Sequence, residues 1–367
     1  MPRLLLLFAL LSTYATNAQR PRALGIKFGV MQPGKLNAIT DVAGVQVGQV
    51  TLNKDDHIRT GVTAILPHAD DMYQNKVPAA IYIGNGYGKL AGYSQVKELG
   101  NLETPIVLTN TLSVATSVNA LITNCLNADG NENVRSVNGV VGETNDGRLN
   151  DIRGRHVTEE HVLTAIATAK TGAVAEGNVG AGTGTICFGW KGGIGTASRV
   201  LPKSLGGYTV GVLVQTNFGG VLRIAGQPIG EKLGQYYFKD ALDEQADGSC
   251  MMVVATDAPL NARNLERLAK RAMLGLAQTG GIASNGSGDY VIAFSTNQAV
   301  RIRKSDGLTQ QVELVKNSAM SPLFLATIEA TEEAIINSLF AAETMEGNGY
   351  KIEALPVEKV LRIMNLK

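Results

Sequence analysis

The sequence predicts a layered fold of the α/β or α+β class. Apolar runs of strand length are intermixed along the chain with segments whose apolar residues recur at helical spacing. No repeat, low-complexity linker or sharp change of composition divides the chain after its first residues, so we expect one domain with a large core. A hydrophobic fraction of 44% and a charged fraction of 18% are typical of a folded, soluble protein.

The first residues predict a secretory signal peptide. A short positive end at Arg3 precedes an apolar run over 4–11, and small residues at 16–18 suit a signal peptidase. The apolar run is too short for a transmembrane helix. We expect cleavage after Ala18, a mature domain over 19–367, and export to the periplasm or the medium without a membrane anchor.

The elements of the first half follow from short patterns. Apolar runs bounded by glycine or proline predict strands, helical spacing predicts helices, and Thr158 followed by Glu159 and Glu160 is typical of a helix start. In chain order, we expect short glycine-punctuated strands over 24–52, strands at 61–67 and 79–83, a helix over 114–126, a helix after Thr158 and a strand at 208–215.

The second half is patterned more clearly. An apolar run at 250–256 predicts a buried strand, and a second strand is expected at 291–295. Apolar residues at helical spacing from Leu265 to Leu276, stopped by Gly280 and Gly281, predict an amphipathic helix between them. Thr331, followed by two glutamates, is expected to open a helix that runs through Ala342.

Composition and missing motifs exclude several function classes. The net charge is +1 and no basic run is interleaved with aromatics, so nucleic acid is not an expected partner. Three widely spaced cysteines, Cys125, Cys187 and Cys250, argue against a disulfide scaffold and a zinc site, although one bridge stays open. Neither H-E-x-x-H nor G-x-S-x-G occurs, and the glycine clusters at 84–88 and 180–184 lack phosphate-loop spacing.

Ser249 directly follows Gly248 and leads into the apolar run at 250–256, so that it stands at the first position of a buried strand. A cut between Gly248 and Ser249 would create an N-terminal residue that carries both an alcohol and an α-amine. A neighbouring amine or polar group can activate such a weak alcohol as a nucleophile. The same Gly-Ser pair is also compatible with an ordinary turn into a strand.

A second serine lies in a glycine-rich segment just before a strand. Ser287 is flanked by Gly286 and Gly288, which permit close backbone approach, and Asp289 follows two residues on. In extended geometry Ser287 and Asp289 share a face, where a hydroxyl and a carboxylate can move a proton without a histidine. A polar hairpin turn is the alternative.

An ordered set of motifs covers nearly all of the mature chain. The chain resembles the self-cleaving serine aminopeptidases of the DmpA type, which include L-aminopeptidase/D-amino-acid esterases and β-peptidyl aminopeptidases. Each motif alone is weak, whereas the order is specific. The motifs are Pro-Gly at 33–34, NAITDVAGV at 37–45, ETPIVLTNT at 103–111, VGETND at 141–146, KGGIGTASR at 191–199, TNFG at 216–219, Gly-Ser at 248–249, ATDAPL at 255–260 and SGD at 287–289.

The resemblance implies a four-layer α-β-β-α sandwich, similar to N-terminal nucleophile hydrolases but differently connected. It implies autocatalytic cleavage into 19–248 and 249–367, with both fragments retained in one fold, and assembly as a homotetramer of cleaved pairs. It implies no metal or organic cofactor. We therefore expect an exported serine aminopeptidase that acts on N-terminal residues of short peptides, amino-acid amides or esters.

The same resemblance suggests roles for named residues. The Ser249 hydroxyl would attack Gly248 and later the substrate, Ser287 would pass the proton, and Asp289 would hold Ser287. Asp289 occupies a position where the family has Asp or Glu. Asn217 matches a residue near the nucleophile and could stabilise the oxyanion, although a strand-end turn would explain an asparagine there equally well.

An aminopeptidase must also recognise a free ammonium group. A carboxylate near the closed end of its pocket would do so, and Glu143 is the first candidate, with Asp146 second. The loop at 142–147 could instead be a solvated turn. Two other functions stay open: a self-processing acyltransferase of the ornithine acetyltransferase kind, whose new N-terminus is threonine rather than serine, and a processed peptide-binding protein without turnover.

Overall fold

The structure is a computed structural model that describes residues 20–239, 248–303 and 307–366. The predicted signal peptide, residues 1–18, lies outside these ranges. Within them, two β-sheets are stacked face to face and each is covered by helices on its outer side.

The larger sheet has seven strands and is mixed. Its order is β13-β3-β12-β11-β10-β9, with β4 paired to β3. The two central strands β11 and β12 run parallel to each other, while β10 and β3 flank them in antiparallel orientation. The strands are β3 (Asn75–Gly86), β4 (Asn101–Leu102), β9 (Ile194–Val200), β10 (Thr209–Asn217), β11 (Gly248–Thr256), β12 (Ser287–Ser295) and β13 (Ile302–Arg303).

The smaller sheet has four strands in the order β1-β2-β5-β6, of which β5 and β6 are parallel. Two hairpins, β7 with β8 and β14 with β15, lie outside both sheets. The strands are β1 (Gln46–Lys54), β2 (Ile58–Leu66), β5 (Ile106–Asn110), β6 (Val140–Thr144), β7 (Ile186–Cys187), β8 (Trp190–Lys191), β14 (Met345–Gly347) and β15 (Tyr350–Ile352).

Helices form the two outer layers. Two of them, α2 and α3, pack on the four-stranded sheet, and the long pair α5 and α6 packs on the seven-stranded sheet. The helices are α1 (Tyr93–Leu99), α2 (Val114–Leu126), α3 (Glu159–Ala167), α4 (Ile229–Leu233), α5 (Ala262–Gln278), α6 (Ser321–Ala341) and α7 (Val357–Ile363).

Strand alternation divides the hydrophobic core into three clusters. On β11, Met251 and Val253 point into the layer between the sheets, whereas Met252 and Val254 point toward α5 and α6. A third cluster lies between the four-stranded sheet and α2 with α3. The predicted class and the four-layer arrangement are confirmed, since each sheet buries both faces.

Two sequence expectations are wrong in detail. The segment 24–52 contains one strand, β1, and its first part consists of turns and short 3-10 helices. The last long helix starts at Ser321 with Pro322 in its first turn, ten residues before Thr331. Thr331 and Glu333 lie in the middle of this helix and are fully buried. Their polar side chains resemble a helix start in the sequence, but here they are accommodated inside the helix by tertiary partners.

In the part of the chain that the structure describes, no helix combines the length and apolar character needed to span a bilayer. Cys125, Cys187 and Cys250 are all buried and unbridged.

Candidate active site

Ser249 lies near the beginning of β11, at the centre of the seven-stranded sheet. The antiparallel neighbour β10 ends here, so that Asn217 is directly opposite Ser249. The parallel neighbour β12 begins here, which places Gly288 on the other side. The ends of three neighbouring strands of one sheet therefore converge around one serine, although their residues are far apart in the sequence.

The Ser249 hydroxyl is held by two backbone groups. It donates a hydrogen bond to the carbonyl oxygen of Gly248 at 2.6 Å and accepts one from the backbone N–H of Gly288 at 3.3 Å. Its oxygen is thus held beside the carbonyl of the residue before it. This places the hydroxyl next to the peptide group whose carbonyl carbon it would attack in self-cleavage.

Gly248 lies against the chain that leaves β10. A Cβ built on Gly248 would lie 2.9 Å from the Cα of Phe218 and 3.3 Å from the carbonyl oxygen of Asn217. Real Cβ atoms do not tolerate the shorter contact with backbone, so a side chain at 248 would displace the strand end. Glycine at this position keeps the Gly248–Ser249 peptide bond in place at the wall of the site.

Ser287 and Asp289 are both buried. They are separated by one residue on β12 and therefore lie on the same face of the strand. Within the described ranges, no protein group reaches hydrogen-bond geometry with the Ser287 hydroxyl or with either carboxylate oxygen of Asp289. Burial raises the pKa of Asp289 to about 6, and the nearby Ser287 hydroxyl and the backbone N–H of Cys250 partly oppose the rise. Unpartnered buried polar groups are costly, and functional sites are where proteins retain them.

The register also fixes which face this pair occupies. Cys250, not Ser249, is directly opposite Asp289, and its thiol lies in the core beneath α5 and α6. Ser249 therefore presents its side chain to one face of the sheet, while Ser287 and Asp289 occupy the other. The backbone nitrogen of Ser249 lies between the two faces.

Asn217 closes the site from the β10 side. Its side-chain oxygen accepts a hydrogen bond from the backbone N–H of Ile186 at 2.9 Å, which fixes the plane of the amide. The group that remains to donate is the amide nitrogen, on a side chain that lines the same cavity as Ser249. An oriented N–H donor of this kind can stabilise a developing oxyanion.

Glu143, on β6 of the other sheet, also lines this cavity. Its carboxylate accepts a hydrogen bond from the backbone N–H of Lys89 at 2.8 Å and a short one from the Thr111 hydroxyl. Burial raises the pKa of Glu143, and these two hydrogen bonds and the positive charge of Lys89, which lines the same cavity, oppose the rise. No side-chain cation among the described residues pairs with it, so it is suited to receive one from a ligand.

Asp146 does not line the cavity. Its carboxylate accepts a hydrogen bond from Asn150 at 2.9 Å and is buried, which raises its pKa to about 7. Lys191 is completely buried nearby, and its ammonium donates to the carbonyl oxygens of Gly182 and Gly192 at 3.0 and 2.8 Å. Burial lowers the pKa of Lys191 to about 7, so both groups titrate far from their ordinary range.

The cavity has a volume of about 510 Å³ and combines polar with apolar walls. Sequence reasoning assigned roles to Ser249, Asn217 and Glu143 but missed the other side chains of the wall. Thr111 stood at the end of a recognised motif, and its proximity to Glu143 follows only from the pairing of β5 with β6. The remaining lining side chains are Tyr87, Lys89, Asn145, Arg148, Ile186, Phe218, Tyr237 and Ile352.

Chemically, the arrangement combines an alcohol beside a peptide carbonyl, an amide donor, a buried hydroxyl–carboxylate pair and a carboxylate without a cation. These are the parts of acyl transfer through a serine. Among the described residues that line this cavity, no histidine, cysteine and carboxylate groups form a cluster suited to a metal ion.

Comparison with known proteins gives a consistent picture. The sequence profile described as Peptidase family S58 matches residues 37–352. A beta-peptidyl aminopeptidase, BapA, from Sphingosinicella microcystinivorans is 44% identical over 374 residues, which cover 95% of this chain and 93% of the relative.

Solved structures agree over almost the whole chain. The PH0078 protein from Pyrococcus horikoshii OT3 is 50% identical with a TM-score of 0.87, covering 95% of this chain and 99% of that one. The L-aminopeptidase D-Ala-esterase/amidase from Ochrobactrum anthropi, described as a prototype for the serine aminopeptidases and a variant of the Ntn hydrolase fold, is 36% identical. Its TM-score is 0.86, with coverage of 94% of this chain and 98% of that one.

Proposed function

This chain belongs to peptidase family S58 and is an aminopeptidase of the serine type, and from that premise we propose that it cuts itself before Ser249 and then uses Ser249 as its nucleophile. The single observation that supports the proposal most directly is the hydrogen bond from the Ser249 hydroxyl to the Gly248 carbonyl oxygen. It holds the attacking oxygen beside the bond to be cut, at the wall of a substrate-sized cavity.

Self-cleavage is an N-to-O acyl shift followed by hydrolysis. The Ser249 oxygen bonds to the Gly248 carbonyl carbon, the C–N bond breaks, and the hydroxyl proton passes to the departing nitrogen. Water then opens the resulting ester, which leaves a carboxylate on Gly248 and a free α-amine on Ser249.

The freed amine connects the two faces of the sheet. In the intact chain the backbone nitrogen of Ser249 lies between its own hydroxyl on one face and the Ser287–Asp289 pair on the other. After cleavage, an amine at this place can take the proton of the Ser249 hydroxyl and exchange it with Ser287. The Asp289 carboxylate, which has no other partner among the described residues, then stabilises the positive charge.

Turnover repeats the same chemistry on a bound substrate. The Ser249 oxygen attacks the substrate carbonyl, the Asn217 amide nitrogen donates to the oxyanion, and the leaving amine or alcohol takes the proton. Water hydrolyses the acyl-enzyme. One oxyanion donor contributes roughly 3 kcal/mol in comparable sites.

Glu143 is proposed to bind the ammonium group of the substrate. It is buried, its two oxygens each accept a hydrogen bond, and an incoming ammonium would supply the missing positive charge. We propose short peptides, amino-acid amides and esters with a free amino end as substrates. β-Amino acids at that end are included, because the name of the Sphingosinicella relative describes such an activity.

The experiment compares wild type with Ser249→Ala. Wild type should separate on a denaturing gel into two bands, the smaller beginning Ser-Cys-Met on Edman sequencing. Wild type should also release nitroaniline from an aminoacyl p-nitroanilide and not from its N-acetylated form. Ser249→Ala should remain one chain, with activity reduced on the order of 10⁴-fold or more. Undiminished turnover in an uncut Ser249→Ala sample would remove Ser249 from the mechanism.

Two other functions give different results in the same assay. An acyltransferase would transfer an acetyl group from acetylornithine to an acceptor, and a peptide-binding protein would bind the nitroanilide without releasing nitroaniline. The serine at 249 and the family membership favour hydrolysis.

Export and assembly are further parts of the proposal. N-terminal sequencing of the mature protein should find Gln19 if the signal peptide is cut after Ala18. Light scattering of the cleaved protein should give four times the mass of one pair if it assembles as a homotetramer. A starting residue of Met1, or the mass of a single pair, would contradict the respective expectation.

A further inference from the structure

A cluster of two histidines and one aspartate lies on the surface away from the catalytic cavity. His57 belongs to the turn between β1 and β2, and Asp151 and His156 belong to the loop that follows β6. One ligand atom from each residue lies within 4.8 Å of the other two. We propose that His57, Asp151 and His156 form a binding site for a borderline divalent transition metal ion of the Zn²⁺ class.

The donor set fits this class of metal. Two imidazole nitrogens and one carboxylate oxygen are ligands typical of Zn²⁺, whereas Mg²⁺ and Ca²⁺ favour oxygen ligands. The His156 ring nitrogen Nε2 and the Asp151 oxygen Oδ2 are 3.3 Å apart. Two ligands at roughly 2.0–2.1 Å from a tetrahedral zinc are separated by about that distance.

Neighbouring groups already orient two of the ligands. The Asp56 carboxylate accepts a hydrogen bond from Nδ1 of His57 at 2.7 Å, which leaves Nε2 of that ring as the free ligand atom. A carboxylate on the non-ligating nitrogen is the usual outer-shell partner of a metal-bound histidine. The backbone N–H of Gly154 donates to Oδ1 of Asp151 at 3.3 Å. The other carboxylate oxygen, Oδ2, is then the ligand atom, on the side of His156.

The backbone brings the two segments together. The N–H of Asp151 donates to the carbonyl oxygen of His57 at 2.7 Å, which joins the turn to the loop. Arg155 has a left-handed backbone with φ of 48°, which returns the chain so that His156 comes back to Asp151. Such strain in a non-glycine residue is retained where the resulting geometry is used.

Charge and access also favour a cation. Two carboxylates, those of Asp56 and Asp151, lie within 3.3 Å of the two histidine rings and supply negative charge at the site. The three ligand side chains are partly exposed, at 42%, 40% and 25% for His57, Asp151 and His156, so an ion can enter from solvent with a water molecule in the fourth position. Competition from thiols is not expected, because the three cysteines are buried.

A bound ion would connect segments that form the wall of the catalytic cavity. The loop between β6 and Asp151 carries Asn145 and Arg148, which line the cavity. The β14–β15 hairpin contacts the same turn, since the N–H of Asn348 donates to the carbonyl oxygen of Asp56 at 2.8 Å. The role is therefore structural: the ion fixes the β1–β2 turn against two segments that contact substrate.

The test uses the full-length, tag-free protein after treatment with a chelator, titrated with ZnCl₂ in a calorimeter and followed by thermal unfolding. Wild type should bind one Zn²⁺ per chain and unfold at a higher temperature with Zn²⁺ but not with Mg²⁺. His57→Ala and His156→Ala should each lose at least tenfold in Zn²⁺ affinity and most of the stabilisation. Co²⁺ substitution should give visible absorption bands typical of a tetrahedral site in wild type, and these bands should be absent from His57→Ala and His156→Ala.

His161→Ala is the matched control. His161 lies outside the cluster, and its side chain caps the start of α3. It should bind Zn²⁺ as wild type does, after allowance for its own effect on unfolding. The proposal is overturned if wild type shows no saturable one-to-one binding, or if binding survives both His57→Ala and His156→Ala. Since the readouts are binding and unfolding, the result is independent of whether Ser249 is the nucleophile.

Discussion

Two clusters of buried charged residues in this molecule differ in how many of their polar atoms have an ion-pair or hydrogen-bond partner. One surrounds Arg199 between β9, α6 and the N-terminal segment, and the other is the Ser287–Asp289 pair on β12, beside Ser249. Both are nearly inaccessible to solvent and both lie on the helix-covered face of the seven-stranded sheet. The comparison separates buried polar groups that hold the fold together from those that are available for chemistry.

The Arg199 cluster is fully paired. Arg199 contacts Glu329 at 3.0 Å and Glu333 at 2.8 Å, and it also donates to backbone carbonyls. Glu333 receives further hydrogen bonds from Arg22 at 2.6 and 2.7 Å and from Asn37 at 2.6 Å. Every charge is compensated, so the cluster ties the N-terminal segment to α6.

The Ser287–Asp289 pair has the opposite character. Its hydroxyl and both carboxylate oxygens find no partner in hydrogen-bond geometry among the described residues, and burial raises the pKa of Asp289 to about 6. No arginine or lysine is placed against it. The difference teaches that burial alone does not distinguish a structural carboxylate from a candidate catalytic one in this fold, whereas burial without a hydrogen-bond partner makes Asp289 the candidate.

The largest expected effect is on stability. Arg199→Met should destabilise the protein by about 3–5 kcal/mol, because Glu329 and Glu333 would remain buried without their shared cation. The free energy of unfolding is measured by denaturant titration, and activity per folded molecule should change little. The exposed Lys351→Met, which removes a surface ion pair with Glu353, should leave unfolding unchanged. An equally stable Arg199→Met variant would show that the cluster does not hold the fold.

Asp289→Asn should give the reverse pattern. We expect self-cleavage and aminopeptidase turnover to fall by about 10²-fold, because the amide cannot compensate the positive charge that forms beside it. Stability should not fall, since an uncompensated buried carboxylate is removed. Single-turnover cleavage rates and kcat are the measurements. Unchanged rates in Asp289→Asn would exclude this carboxylate from the site.

A smaller effect is expected in the pH dependence. The folded pKa of Asp289, about 6, exceeds its ordinary value of 3.8, so the native state binds this proton more tightly than the unfolded state. The stabilisation from this proton is fully present below about pH 4 and is lost as the pH rises through 6. The rate of self-cleavage of the uncut chain, in which no amine yet lies beside Asp289, should change in the opposite direction, rising up to about tenfold per pH unit below 6, because the proposed step uses the ionised carboxylate.

Rate and unfolding are therefore measured on the same samples between pH 4 and 7, for wild type and Asp289→Asn. The difference in unfolding free energy between the two proteins should increasingly favour the variant as the pH rises. The rise in self-cleavage rate near pH 6 should be missing from the variant. A rise that persists there would assign the titration to another group.

The sequence was sufficient for local features with a strong chemical signature. Apolar runs located the central strands β11 and β12, and the helical spacing from Leu265 to Leu276 located α5. The order of motifs was sufficient for the family and the four-layer class. Ser249 was identified from its place after Gly248 at a strand start, and its role in catalysis stays a prediction.

The start of α6 at Ser321 could not be predicted from the spacing of apolar residues. Its acidic residues Glu329 and Glu333 resemble solvent-facing charge until Arg199, far away in sequence, is placed against them. A periodicity search needs a polar face to define a helix, and this helix has polar residues that are buried.

What the sequence determined by itself is therefore the chemistry of single residues and the period of single elements, because both depend on neighbours along the chain. Only the tertiary structure decided which distant groups meet. It placed Asn217 and Gly288 on either side of Ser249, and it brought Glu143 into the same cavity while leaving Asp146 outside it. Strand register and sheet stacking fix those distances, and they arise from the packing of the whole core rather than from any one segment.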